Sequence, residues 1–299
     1  MQRSFSIITT CKGRLEHLKR SLPRMLELGA AEIIVVDYSC PEGTGAYVRE
    51  HFPAVRVVSV EGQEYFSNWR ARNVGAAVAT GDLLIFCDAD TILAPNAIEW
   101  IAAHLPERSF GFLQRDATSH LNRTNLRLGT NQLRGFHVVP AKAFKALGGY
   151  DDVLEGYAAG GDTDLEQRLA LARFKHFPID PAIVEDVVEH GNEDRMKNHR
   201  DSIRVSYAAG LLYRMTKRGL AGISHKLILP PAYRRRLYDA ALTAARNLGT
   251  RDTVALLSVA ETVAVGMPMQ LGYKKARTRI SVKVELIGEE PVEKAPEKL

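Results

Sequence analysis

The sequence predicts an α/β fold with a mainly parallel, Rossmann-like sheet, followed by a C-terminal helical appendage. Short apolar runs alternate with longer helical patterns through the first hundred residues, which is typical of successive βα units. The run EIIVVD is apolar through its centre, as expected of a strand buried on both faces. The chain has 299 residues, 45% hydrophobic and 25% charged, which excludes a disordered or fibrous protein and allows a large core.

The alternation assigns the first elements in order. Helices are predicted over residues 15–28, ending at Gly29, and over residues 68–79, ending near Gly81. The strands predicted in this part are residues 4–10, 32–37, 55–60 and 82–87. Because ligands of an open parallel sheet bind beyond the carboxyl ends of its strands, the polar residues just after each strand are the first candidates for a site.

The pattern changes after Pro95. A Thr-, Asn- and Arg-rich stretch over residues 116–131 is predicted to be a long loop, of the kind that often serves as a lid or binding loop. A helix over residues 161–172 is predicted to have Asp162 or Thr163 as its cap. The remaining predicted elements are helices over residues 96–105 and 141–147 and strands over residues 110–113 and 135–140.

The sequence also predicts how the chain divides into domains. We expect an α/β domain over residues 1–200, a mainly helical region over 201–288 and a disordered Pro-, Glu- and Lys-rich tail over 289–299. The apolar stretch 253–273 is interrupted by polar residues, Gly and Pro, so it predicts a buried or interfacial helix and not a membrane span.

Charge and cysteine content suggest a location. Lys and Arg number 40 against 35 Asp and Glu, and the basic excess is concentrated in the last hundred residues. Such a region suits contact with an anionic membrane surface, or it is only a solvated face. Cys11, Cys40 and Cys87 show no metal-type pairing, and no signal-peptide pattern is present, so we expect reduced thiols in a cytoplasmic protein. Peripheral contact with the inner face of the membrane is one of the two interpretations of its basic region.

Two carboxylates follow the fourth predicted strand. Asp88 and Asp90 come directly after LLIFC, and residues two apart on an extended chain point the same way. Two oxygen ligands at this edge suit a hard divalent cation shared with a diphosphate. The alternative is a turn or a solvated strand end, since a D-x-D pattern also arises by chance.

Five segments in order carry a resemblance to a known family: SIITTCKGR, IIVVDYSC, ARNVGAAVATGDLLIFCDAD, RGFHVVPAKAFKALGGYDDVLEGYAAGGDTDLEQRL and EHGNEDR. Residues 4–200 resemble family 2 and related GT-A glycosyltransferases. The last segment resembles the C-terminal half of the β-1,4-galactosyltransferase and polypeptide N-acetylgalactosaminyltransferase type. The resemblance implies that residues 1–200 form a GT-A catalytic domain.

The resemblance also implies roles for single residues. Asp37 would contact the uracil of a UDP donor, with the alternative of a turn-capping acid. Arg72 would supply a cation to the nucleotide or brace Asp88, with a helix-surface arginine as the alternative. The first aspartate of the pair would touch the ribose, and a metal ion, Mn²⁺ or Mg²⁺, would be held by the second. The complete set of implied binding residues is Thr10, Arg14, Asp37, Arg72 and Asp88 for the nucleotide sugar and Asp90 and His190 for the metal.

The general base is where the sequence departs from the family. Its G-G-E-D-T-D-L segment corresponds to GGDTDL here, and the position of its glutamate is Gly161. Asp162 is therefore the predicted base, with Asp164 as the fallback. A purely structural role for Asp162, as a helix cap, is the alternative.

These assignments predict an inverting, metal-dependent glycosyltransferase that moves a sugar from a UDP-sugar to a hydroxyl of a glycan or glycolipid acceptor, with no nucleic-acid partner. A sugar-nucleotide pyrophosphorylase would carry a Gly-rich loop after the first strand, which TTCKGRLEHL lacks. A glycosidase has no need of nucleotide-binding residues. A non-catalytic glycan-binding or scaffold protein with this fold is the remaining alternative.

Overall fold

The computed structural model describes residues 3–113, 135–188, 190–224, 228–248, 254–264 and 275–285. The chain divides into two compact units, Met1–Arg200 and Asp201–Leu299. The predicted loop at 116–131 and the predicted disordered tail at 289–299 lie outside the described residues.

The first unit is an α/β domain. Its elements, in chain order, are β1 (Phe5–Cys11), α1 (Leu15–Leu26), β2 (Glu32–Tyr38), α2 (Thr44–His51), β3 (Arg56–Val60), α3 (Asn68–Val78), β4 (Leu83–Cys87), β5 (Thr91–Leu93), α4 (Ala97–His104), β6 (Ser109–Leu113), β7 (Phe136–Pro140), α5 (Ala141–Ala146), α6 (Gly161–Leu171), β8 (Lys175–Ile179), β9 (Val184–Val187) and α7 (Asn192–Met196). Seven strands form one sheet in the order β3-β2-β1-β4-β7-β6-β8. Only β7 runs antiparallel to its neighbours in this sheet. The predicted α/β class with a mainly parallel sheet is confirmed.

The apolar pattern explains the packing. Ile7 and Ile85, from neighbouring central strands, are fully buried. Leu18, Leu22 and Met25 are spaced along one face of α1 and pack into the same core cluster. Apolar residues at this spacing form a stripe along an amphipathic helix, which is why α1 covers the sheet.

The strand order places a crevice at one edge of the sheet. From β1 the chain continues to β2 on one side, whereas β4 lies on the other side of β1. Ligands of open α/β sheets bind where the strand order reverses in this way, outside the carboxyl ends of the strands. The residues that follow β1 and β4 therefore lie in the right place for a ligand site.

The predicted cap of α6 is wrong. The helix begins at Gly161, and the N-cap residue is Gly160, in a left-handed conformation with φ of 82°. Asp162 and Thr163 lie inside the first turn instead. The reason is that glycine accepts positive φ without strain, so the chain turns at Gly160 and the helix has already begun when it reaches Asp162.

The second unit combines two helices, α8 (Ile203–Ser224) and α9 (Pro231–Arg246), with an antiparallel pair of strands, β10 (Val254–Ala264) and β11 (Lys275–Glu285). The predicted helical appendage is present. The helix predicted over 253–273 is wrong, because residues 254–264 form β10. Alternate residues of β10 such as Ala255 and Leu257 are buried, so the period of burial is two and not that of a helix. In the described part of the chain, no helix has the length and apolar character needed to cross a membrane.

Candidate active site

The two aspartates after β4 are held by their backbone. The Asp88 N–H donates to Gly135 O (2.8 Å), and Asp90 O accepts from Val188 N–H (2.8 Å). A Cβ on Gly135 would lie 2.6 Å from Asp88 Oδ2, so a larger residue here would displace this carboxylate from its present position. The D-x-D segment is therefore fixed from both sides.

Two histidine side chains lie beside Asp90. His190 Nε2 lies 2.6 Å from Asp90 Oδ2, and the His17 ring stacks on the His190 ring with centroids 5.4 Å apart. One ligand atom from each of His17, Asp90 and His190 lies within 4.8 Å of the others, as a metal site requires. The sequence analysis missed His17; the available signal was its position one helical turn after Arg14.

A short strand pair explains how residues 100 positions apart come together. β5 follows the aspartates directly, β9 ends just before His190, and the two pair antiparallel with Thr91 opposite Val187. This pairing fixes His190 beside Asp90. α1, which carries His17, packs against β5.

Burial and charge act in opposite directions on the two aspartates. For Asp90, burial raises the pKa, but the hydrogen bond and charge of His190 and the charges of Arg14 and His17 together lower it, and the net shift is downward. For Asp88, burial again raises the pKa, Arg72 lowers it and Asp90 raises it, and the net shift is upward. The second carboxylate is thus the one whose surroundings favour the anion that a metal ion needs.

Arg72 lies in the core and bridges two acids. It is 1% exposed, and its guanidinium donates to Asp88 Oδ1 (2.7 Å) and Asp162 Oδ1 (3.2 Å). The rings of Trp69, Phe86 and Tyr150 surround the guanidinium carbon at 5.6, 5.8 and 5.5 Å from their centroids. The helix-surface interpretation is wrong, and the contact with Asp88 is the bracing role.

Asp162 belongs to the same buried network. Its Oδ1 lies 3.2 Å from His137 Nδ1, and that nitrogen lies 2.7 Å from the Tyr150 hydroxyl. The fallback Asp164 instead accepts a hydrogen bond from Arg168 Nε (2.8 Å), one turn along its own helix, and forms an ion pair with Arg168 Nη2 at 2.7 Å. His137 and Tyr150 were missed by sequence analysis, because a histidine and a tyrosine on apolar segments look like ordinary core residues.

Trp69 accounts for the glycine that replaces the family's glutamate. A Cβ on Gly161 would lie 2.5 Å from Trp69 Cδ2, well inside van der Waals contact. The indole therefore occupies the space that a longer side chain at this position would need. Trp69 is 8% exposed and packs beside Tyr150.

The predicted nucleotide residues lie along the ends of β1 and β2. Thr10 Oγ1 donates to Asn68 Oδ1 (2.9 Å), and Arg14 Nη1 lies 3.5 Å from His17 Nδ1. Asp37 accepts backbone N–H bonds from Cys40 and Gly45, both at 2.8 Å. These bonds are those of a turn-capping acid, and a contact between Asp37 and uracil stays a prediction.

Lys12 is a further buried cation that the sequence analysis missed. It is 6% exposed, and its Nζ donates to the carbonyl oxygens of Ser39 (2.9 Å) and Gln63 (2.7 Å). It ties the end of β1 to the segments that follow β2 and β3.

Comparison with known proteins agrees with this geometry. Residues 6–137 match the model of the family described as Glycosyl transferase family 2. The predicted resemblance to family 2 is confirmed over these residues. No curated protein matches the chain in sequence. The family match and the site support a glycosyltransferase.

Solved structures with the same fold include three glycosyltransferases. The mannosyltransferase PcManGT from Pyrobaculum calidifontis, in complex with GDP-Man and Mn²⁺, is 18% identical, with a TM-score of 0.52 over 84% of this chain and 77% of its own. S. aureus TarS 1-349, in complex with UDP-GlcNAc, is 14% identical, with a TM-score of 0.53 over 81% and 72%. GalNAc-T7, with UDP, GalNAc and Mn²⁺, is 15% identical, with a TM-score of 0.52 over 80% and 54%. At these identities the matches show the GT-A fold alone.

Proposed function

We propose that the protein is an inverting, metal-dependent glycosyltransferase that transfers a sugar from a UDP-sugar to a hydroxyl of a glycan or glycolipid. The observation that carries the proposal is that two groups of residues meet at the Asp88-Ala89-Asp90 segment. Asp90 lies beside two histidines, and Asp88 is linked through Arg72 to Asp162. The ligands named for the structural neighbours, nucleotide sugars and Mn²⁺, support it.

The metal-binding residues proposed are Asp90 and His190, with His17 as a third. Two imidazoles and one carboxylate favour Mn²⁺ over Mg²⁺, because imidazole nitrogen suits transition metals and Mg²⁺ prefers oxygen. Burial, and next the charge of Arg14, lower the pKa of His17, so the ring is neutral near pH 7, as a metal ligand must be. When bound, the ion would neutralise charge on the diphosphate of the donor.

The chain's own residues perform the remaining steps. Arg72 holds the Asp88 carboxylate at the edge of the sheet, where it is proposed to meet the ribose. Asp162 is proposed to take the proton of the acceptor hydroxyl. Its place in the first turn of α6 and its contact with Arg72 favour the carboxylate form, which a base requires. One base opposite the leaving group gives a single displacement with inversion.

The second unit is proposed to touch the acceptor or an anionic membrane surface. Arg277, Arg279 and Lys283 are exposed, and their spacing places them on one face of β11. Opposite them, Leu256 of β10 is 60% exposed. A basic face with an exposed apolar side chain suits the surface of an anionic bilayer.

A donor screen tests the proposed function. Nucleoside diphosphate release is measured with UDP- and GDP-sugars, in Mn²⁺, with a panel of glycan and glycolipid acceptors. Acceptor-dependent release of UDP from one UDP-sugar, with an inverted linkage in the product, is expected. Binding of UDP-sugars with no transfer to any acceptor would favour the non-catalytic alternative. Synthesis of a UDP-sugar from UTP and a sugar 1-phosphate would favour the pyrophosphorylase.

A further inference from the structure

Two of the three cysteines meet at the nucleotide edge of the sheet. Cys11 is the last residue of β1 and lies opposite Asp37 of β2, and Cys40 follows in the turn after β2. The Thr44 hydroxyl lies 3.2 Å from Cys11 Sγ and 3.1 Å from Cys40 Sγ. The Thr44 hydroxyl therefore bridges the two sulfurs.

The surroundings make the two sulfurs chemically unequal. Cys11 is fully buried, whereas Cys40 is half-buried. Cys40 Sγ accepts hydrogen bonds from Gly13 N–H (3.1 Å) and from the Thr44 hydroxyl. The neighbouring Cys11 thiol lowers the pKa of Cys40 most, burial opposes it, and the remaining donors bring the value to about 5. The same thiol pair and burial raise the pKa of Cys11.

This asymmetry is the one that thiol oxidation requires. A thiolate that reaches solvent reacts with peroxides, whereas a buried protonated thiol does not. A second thiol beside the first then resolves the oxidised sulfur. Cys87 lacks these features, because it is 1% exposed and burial raises its pKa.

We propose that Cys40 is a peroxide-reactive thiol and that Cys11 resolves it, closing a disulfide between the ends of β1 and β2. The Cys40 thiolate attacks the terminal oxygen of a hydroperoxide and the O–O bond breaks, which gives the sulfenic acid. The alkoxide or hydroxide that leaves takes a proton from solvent and becomes an alcohol or water. Cys11 sulfur then attacks Cys40 sulfur, and the sulfenic oxygen leaves as water with the Cys11 proton. The two thiols lose two electrons, and the hydroperoxide gains them.

The disulfide would change both strand ends that carry predicted nucleotide contacts. Gly13 N–H would lose its thiolate acceptor, and Gly13, with φ of 67°, directly precedes Arg14. The N–H of Cys40 donates a hydrogen bond to Asp37 Oδ1. Oxidation should therefore weaken nucleotide binding; only this consequence rests on the proposed function.

Peptide mapping after treatment with hydrogen peroxide tests the proposal on the full chain. Tryptic peptides 4–12 and 25–49 carry Cys11 and Cys40, and peptide 73–108 carries Cys87. We expect peptides 4–12 and 25–49 to become linked, with the loss of two hydrogens, and to separate again on reduction. Cys87→Ser is the matched control and should form the same link.

The variants separate the two steps. Cys11→Ser should stop at a Cys40 sulfenic acid that dimedone traps, and Cys40→Ser should form neither adduct nor link. In wild type, without any substitution, iodoacetamide should label Cys40 at least tenfold faster than Cys87 at pH 7. Absence of the 4–12 to 25–49 link in wild type, or equal labelling of Cys40 and Cys87, would overturn the proposal.

Discussion

At the scale of single residues, Asp162 tests the proposed chemistry. Asp162→Asn keeps the size of the side chain but cannot accept a proton, so transfer should fall by roughly a hundredfold or more. UDP affinity should change little, because Asp162 lies in the network with Arg72 and His137 and not at the ends of β1 and β2. Steady-state transfer rates and UDP binding by calorimetry provide the measurement.

Tyr150→Phe is the matched control for this variant. It removes a hydroxyl that contacts both Arg72 and His137 but keeps the carboxylate. A much smaller loss of transfer is expected from it. Near-normal transfer by Asp162→Asn would contradict the role of Asp162 as the base. The fallback base, Asp164, is paired with Arg168.

His199 gives a prediction about stability and pH. Burial, and next the charge of Arg14, lower its pKa from the ordinary 6.5 to about 4. Between these values the unfolded chain binds a proton here that the folded chain does not, so the free energy of unfolding falls as the pH is lowered. The loss through this residue is roughly 2 kcal/mol at pH 5 relative to pH 7.

Urea unfolding at pH 7 and pH 5 measures this effect. His199→Asn cannot take up the proton, so its stability should fall about 2 kcal/mol less than that of wild type between the two pH values. An equal fall in both proteins would contradict the account of His199.

At the scale of elements, the contact between α3 and α6 is predicted to be tight. Gly161→Ala places a Cβ 2.5 Å from Trp69 Cδ2 and should lower the free energy of unfolding by about 1–3 kcal/mol, the usual cost of overpacking. Gly222→Ala, in α8, is the control, because a Cβ there meets nothing within 4 Å. It should be neutral or stabilising by up to about 1 kcal/mol, since alanine favours helix. Equal effects in thermal or urea unfolding would contradict this packing.

The local sequence pattern predicted the elements with a long apolar run well. It predicted poorly the short strands that depend on a distant partner. The run DLLIFC predicted β4 because its apolar residues are contiguous and buried. The short strands β5 and β9 were missed, since each is defined by its partner about a hundred residues away and has little pattern of its own. β10 was mistaken for a helix because small and β-branched residues gave no clear period.

The residues of the candidate site also differ in how far local pattern predicts them. Asp88 and Asp90 could be predicted because they follow a buried strand directly. His17 could not be predicted from pattern, because its role depends on its tertiary contact with Asp90. Arg72 was predicted with its role left open, and the hydrogen bond to Asp88 became visible only in the fold. The position that departs from the family, Gly161, acquires a physical reason only through Trp69, which lies on another helix.

At the scale of the whole molecule, the basic face of the second unit predicts a membrane experiment. The protein should float with anionic liposomes at low salt and lose this binding at high salt, because screening weakens surface charge. Arg277→Glu with Arg279→Glu should abolish flotation, whereas Lys142→Glu with Lys145→Glu, in α5 of the first unit, should leave it unchanged. Wild-type protein that stays at the bottom at low salt would remove the membrane proposal.

The central claim is that sugar transfer depends on a metal ion held by Asp90, His190 and His17. The most direct measurement is UDP release, with the donor identified by the screen, in Mn²⁺, in EDTA and after Mn²⁺ is restored, alongside the Mn²⁺ affinity of the free protein. The account predicts that EDTA abolishes release and that Mn²⁺ restores it. Asp90→Ala and His17→Ala should each weaken Mn²⁺ binding by at least tenfold while the fold is kept, and His104→Ala, an exposed histidine on α4, should not. Full release in EDTA, or unchanged Mn²⁺ affinity in Asp90→Ala, would contradict it.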